Sequence, residues 1–93
     1  MTVESVRSMD ELGRAVRHFR RSAGLTQLQL AEMAAVSARW LSSLEKGRTP
    51  GAEFSKVLQV LKALNVEMLL EPLPVYSEED RALLELIEQL REF

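Results

Sequence analysis

The stretch Leu25-Thr26-Gln27-Leu28-Gln29-Leu30-Ala31-Glu32-Met33-Ala34-Ala35-Val36-Ser37-Ala38-Arg39-Trp40-Leu41-Ser42-Ser43-Leu44-Glu45-Lys46-Gly47 decides the fold. Thr26 and Ser37 are N-capping residues, because a hydroxyl can accept a first-turn N–H that has no partner within the helix. Each opens a short helix. The first runs from Gln27 to about Ala34 and turns Leu30, Ala31 and Ala34 inward; alanines there permit close approach by a neighbour. The chain breaks at Ala35-Val36. The next helix, bounded by Ser37 and Lys46, has Leu41 and Leu44 three apart, with Ala38, Arg39, Ser42 and Ser43 facing elsewhere, and stops at Gly47.

Working outward, Leu12, Ala15, Val16, Phe19 and Ala23 recur at helical spacing between Arg14, Arg17, Arg20 and Arg21. This predicts an amphipathic helix over Met9 to Ala23, capped by Ser8 or Asp10 and ended by Gly24. Downstream, Gly47-Arg48-Thr49-Pro50-Gly51 is a loop, and a helix from about Glu53 to Leu64 carries Phe54, Val57, Leu58, Leu61 and Leu64 on one face. Two short helices joined by a tight turn and flanked by longer ones make a helix-turn-helix. After Asn65 the period falls to two, with Val66, Met68 and Leu70 alternating with Glu67, Leu69 and Glu71, which predicts a strand until Pro72 and Pro74 forbid continuation. A lone strand needs a partner, and a second copy of the chain can supply it. Ser77-Glu78-Glu79-Asp80 resembles a capping box opening a last helix, with Leu83, Leu84, Ile87 and Leu90 as its apolar stripe. Leu83, Leu86, Leu90 and Phe93 also fit a short 3-4-3 seam, better suited to packing on this fold or a partner than to an independent coiled coil. The expected organisation is a mainly α core over 9–65, a strand over 66–71 and an acidic helical extension over 72–93.

The net charge of −2 is a cancellation. Residues 1–62 hold ten Lys/Arg and six Asp/Glu, a balance of +4, and residues 63–93 hold two and eight, a balance of −6. A basic unit able to meet a polyanion precedes an acidic tail. With no cysteine and one histidine, His18, the chain offers neither disulfide nor thiolate nor His-based metal cluster, so no metal or other cofactor is expected. There is no glycine-rich phosphate loop or acid–base constellation, so no catalytic residues and no enzyme are expected. Five aromatics are too few for an RNA-stacking platform. The absence of an apolar leader or spanning run predicts a soluble, cytoplasmic protein with no membrane partner. Ninety-three residues bury only about 60–65% of their unfolded surface, so without staples a partner chain is expected.

The run Leu25 to Ala31, then Val36-Ser37, Leu41-Ser42, Leu44-Glu45-Lys46-Gly47 and Pro50, resembles the XRE or Cro-type phage-repressor helix-turn-helix. The continuation Lys56 to Glu67 is similar to HipB-like antitoxin regulators, in which a strand after the core pairs across a dimer. The resemblance implies a bacterial, nucleoid-associated repressor of double-stranded DNA with a palindromic operator. It further implies a homodimer built through Val66, Met68 and Leu70, and a HipA-like Ser/Thr kinase toxin as partner in an autoregulated module. A stand-alone XRE regulator or a protein-binding adaptor are the alternatives. By the same resemblance Ser37, Ala38, Arg39 and Ser43 meet DNA, and Glu45 pairs with Arg20 beneath that surface. Physical chemistry adds that Gln27, opening its helix, suits a phosphate oxygen, and that Arg39 alone carries the fork that fits guanine O6/N7. Lys46 and Arg48 suit phosphates, and Ser42 points sideways. Trp40 stands where the family has a small polar residue; either it touches DNA or it is a partly buried structural residue. Ala35 stands where relatives carry glycine, and since alanine tolerates positive φ poorly an adjusted backbone is expected at the turn.

Overall fold

The computed structural model describes residues 2–73 and 78–91. Among these residues there are five helices: α1 Met9–Ser22, α2 Gln27–Ala34, α3 Ala38–Glu45, α4 Phe54–Ala63 and α5 Glu78–Arg91. Their starts follow the side-chain chemistry. Ser8, rather than Asp10, caps α1 by accepting the Glu11 N–H at 3.1 Å. Thr26 Oγ1 accepts the Gln29 N–H at 3.1 Å while Gln29 Oε1 accepts the Thr26 N–H at 2.9 Å, a reciprocal capping box. Ser37 Oγ accepts the Trp40 N–H at 3.0 Å.

The first four helices end alike. Gly24, Ala35, Gly47 and Asn65 all sit at positive φ, and in each case the next residue's N–H reaches back to the carbonyl five residues before it, as in Val36 to Ala31 and Arg48 to Ser43. This satisfies carbonyls a helix end otherwise leaves unpaired. At Ala35 (φ 57°, ψ 40°) the expected adjustment does not occur: the alanine takes the left-handed conformation itself. The turn geometry is held by its hydrogen bonds, and the Cβ strain is tolerated rather than relieved.

α2 packs on α3 and α4, and α1 packs on α3. The core joins Val16 of α1, Leu30, Ala31 and Ala34 of α2, Leu41 and Leu44 of α3, and Val57, Val60 and Leu61 of α4. Each fully buried Leu or Val contributes about 1.5–3 kcal/mol. The inward face of α4 departs from expectation. Val60 is fully buried, whereas Phe54 is 59% and Leu58 44% exposed. Val57, Val60, Leu61 and Leu64 form one i, i+3, i+4, i+7 face, and Phe54 and Leu58 lie at its edge and stay exposed.

The expected strand is absent. Residues 66–73 carry no regular secondary structure, because a single strand has nothing to pair with in one chain. Val66 packs partly against the core, but Met68 is exposed and Leu70 is 92% exposed, so the three do not share a buried face within the protomer. α5 forms as expected, with Leu83, Leu84, Ile87 and Leu90 all exposed and no residue buried. Ser77 of the expected capping box and Phe93 of the expected seam lie outside the described residues.

Removing the strained alanine tests the turn. Ala35→Gly is expected to stabilise the fold by about 0.5–1 kcal/mol, the left-handed penalty less the glycine's unfolded-state entropy, read from chemical or thermal unfolding.

Candidate nucleic-acid interface

At the centre of the first three helices lies a polar network. Arg20, late in α1, donates from Nε to Glu45 Oε2 at 2.7 Å and from Nη2 to Glu45 Oε1 at 2.9 Å. Its Nη1 donates to the Leu25 carbonyl at 2.8 Å, and Gln27 Nε2 donates to Glu45 Oε1 at 3.2 Å. The Glu45 side chain is 2% and that of Arg20 12% exposed. The carboxylate thus has a bidentate guanidinium partner and a third donor, which is what a buried charge requires. This bears out the ion pair expected from the resemblance, and it reaches further, tying the end of α1, the α1–α2 turn, the start of α2 and the end of α3.

Gly13 makes the approach of α1 to α3 possible. A Cβ at this position would collide with the backbone carbonyl of Leu44 and lie 2.9 Å from that of Glu45, so only glycine lets the helices meet here. Sequence reasoning missed it, although a glycine inside an otherwise regular helical pattern is itself the signal of a close approach.

α3 sorts its residues by the helical period. Leu41, Leu44 and Glu45 are buried, and Ala38 and Trp40 are half-buried and pack against the core. Arg39, Ser42, Ser43 and Lys46 fall at i, i+3, i+4 and i+7 and form the outward face, with Arg39 and Lys46 exposed and the two serines half-buried. Six of the expected contact residues are therefore placed as follows: four share one face, while Ala38 and Trp40 turn toward the core. Trp40 is partly buried against the core, and Lys56 Nζ lies 5.7 Å from its ring centroid. Ser37 uses its hydroxyl oxygen as the cap of α3, leaving its O–H free to donate. Arg48, in the loop after α3, is exposed. Gln27, half-buried, is oriented by Glu45, and its backbone N–H and that of Leu28 are the first-turn donors of α2 that the capping box does not take.

Among the described residues no group of His, Cys, Asp or Glu could hold a metal ion, and no helix is long and apolar enough to cross a membrane.

The family described as Helix-turn-helix domain matches residues 11–72, from the first turn of α1 through α4 and into the following segment. The chain belongs to the XRE-type helix-turn-helix family. An uncharacterized HTH-type transcriptional regulator, y4mF of Sinorhizobium fredii, is 39% identical over 59 residues, covering 63% of this chain and 76% of that protein. Among solved structures, an HipB variant in an O2 20mer complex matches with a TM-score of 0.70 at 21% identity, covering 76% of this chain and 97% of that one. HipB in an O4 20mer complex matches with a TM-score of 0.68 at 21% identity over 75% and 97%, and a chain described as MDT Protein with 0.66 at 22% over the same shares. These likenesses show the fold of the helix-turn-helix core.

Glu45→Ala, which strands a guanidinium beneath the surface, is expected to cost about 3–5 kcal/mol in urea unfolding. Replacing both partners, Arg20→Met with Glu45→Leu, is expected to recover most of that loss. Gly13→Ala is expected to cost at least about 2 kcal/mol by forcing α1 and α3 apart.

Proposed function

We propose that this protein is a homodimeric, sequence-specific DNA-binding transcriptional repressor. The observation that carries the reading is the outward face of α3, where Arg39, Ser42, Ser43 and Lys46 project from a helix whose start is fixed by Ser37 and whose end is fixed by the buried Glu45. In a helix-turn-helix the second helix enters the major groove with its N-terminal residues on base edges. Arg39, in the first turn of α3, reads a guanine; Lys46 and Arg48, at the far end, hold phosphates. Gln27 and the first turn of α2 contact the backbone beside the groove. The HTH-type regulator that is 39% identical supports the same reading.

The adaptor alternative drew on Ala35 and Trp40. With Ala35 seated in the turn and Trp40 against the core, neither obstructs the outward face of α3.

Two copies complete the functional unit, since a dimer places two recognition helices on a palindromic operator about one DNA turn apart. The exposed apolar run Met68, Leu69 and Leu70, directly after the core, is where we place the mate. The resemblance to HipB-like regulators extends the proposal to an antitoxin that binds a HipA-like kinase and represses their shared operon. Co-purification with the product of an adjacent kinase-like gene tests that extension: a kinase frame whose product fails to bind removes it and leaves the repressor standing.

A gel-shift titration against the protein's own upstream region is expected to give a saturable, sequence-selective shift, and its absence sinks the repressor. Arg39→Ala is expected to lose about 1–3 kcal/mol of discrimination at a single base pair. Lys46→Ala is expected to weaken binding to all sequences alike and to lower the salt slope by about one.

A further inference from the structure

Two apolar surfaces of this chain are left uncovered. The first is a shallow groove between the C-terminal half of α4 and the segment that follows, lined by Leu58, Leu61, Val66 and Met68 with Lys62 and Glu67 beside them. The second is the apolar face of α5, where Leu83, Leu84, Leu86, Ile87 and Leu90 are all exposed. Placed at 100° per residue these five span an arc near 160°, wider than a coiled-coil seam and suited to lying in a groove rather than against one identical helix. Lys62 lies beside the groove, as does Glu67, and α5 carries five acids against Arg81 and Arg91. α5 also lies beyond residue 72, where the family match ends, so the shared core does not account for it.

We propose that α5 of one protomer lies in the α4 groove of a second copy, in a reciprocal exchange. This rests on the homodimer reading above and adds what the C-terminal extension does. The direction of the chain selects the mate over the chain's own groove. Val66 and Met68 are themselves walls of the groove, so the backbone leaves through it. Filling its own groove requires the chain to turn back between Met68 and the start of α5 at Glu78. Pro72 favours extended backbone at Glu71 and so carries the chain onward from the groove. A self-docked α5 also leaves Leu69, Leu70 and Leu73 in water, whereas a crossing chain lays them along the mate.

The chain has no cysteine, so single cysteines report proximity without background. Leu58→Cys copies mixed with Ile87→Cys copies and treated with a short bismaleimide are expected to yield a linked dimer of unlike copies, several-fold more abundant than the product from either variant alone. Met68→Cys replaces Leu58→Cys if that variant folds poorly. Lys62→Glu is expected to raise the dimer dissociation constant several-fold, and Glu88→Lys in the same chain to bring it back. Three outcomes overturn the exchange while leaving the dimer in place: a link formed only within one chain of the double variant, a link only between two Ile87→Cys copies, or no link in a sample that light scattering shows to be dimeric. An α5 that becomes protected only when the adjacent gene product is added overturns it in favour of a different protein partner. A sample that is monomeric at every concentration overturns the dimer reading and the exchange with it, and leaves monomer binding to a half-site as the measurable activity.

Discussion

The Arg20–Glu45 pair is the constraint on which the helix-turn-helix depends. A buried ion pair is a weak source of net stability, because desolvating both charges costs several kcal/mol per ion before their attraction is counted. Its value here is directional. The two guanidinium–carboxylate bonds at 2.7 and 2.9 Å leave the third donor of Arg20 on the Leu25 carbonyl, and Glu45 Oε1 shares itself with Gln27. An apolar pair of similar volume fills the same space and permits many relative rotations of α1 and α3. This network permits few. Since Glu45 ends α3 and Gln27 begins α2, the two helices that face outward are both indexed to α1 through one carboxylate.

The buried charge works only because the backbones come close enough. Gly13 lies seven residues before Arg20, two turns earlier on the same side of α1, and brings the α1 backbone against the Leu44 and Glu45 carbonyls. Close approach at Gly13 and the bidentate bond at Arg20 are thus two ends of a single contact line along α1. Either alone leaves the crossing angle loose: a glycine without the salt bridge gives a close but slippery contact, and the salt bridge without the glycine has to stretch across a side chain.

Much of this was legible in the residues. The starts of α2 and α3 were readable because Thr26 and Ser37 do local chemistry that no tertiary contact alters. The inward residues of both were readable because their spacing admits one face. The α4 face was not, since Phe54, Val57, Leu58, Val60 and Leu61 leave two overlapping apolar stripes, and only the position of α2 chooses Val60 over Phe54 and Leu58. Trp40 was undecided because an indole satisfies either a groove wall or a core edge. The strand at 66–71 was expected to pair with a second copy, and the single protomer forms none there; alternation reports which side chains share a side, and backbone pairing needs a neighbour that one protomer lacks. At Ala35 the weight given to alanine's dislike of positive φ was too large, because two cap hydrogen bonds, from Ala35 to Glu32 and from Val36 to Ala31, outweigh a penalty of about 1–2 kcal/mol.

The opposed charges of the two halves follow from the same geometry. The outward face of α3 and the loop after it concentrate Arg39, Lys46 and Arg48 beyond the buried Glu45, whose own charge is neutralised where it sits. A free carboxylate on that face would repel a polyanion at short range; a paired one beneath it repels little, since the Arg20 guanidinium lies within 3 Å. Eight of the fourteen acids lie after residue 66, in the part of the chain that follows α4. Net charge therefore says nothing about what the protein can bind. Placement does: the arrangement leaves one cationic face clear for a polyanion and assigns the anionic surplus to a helix whose exposed leucines require a partner of their own.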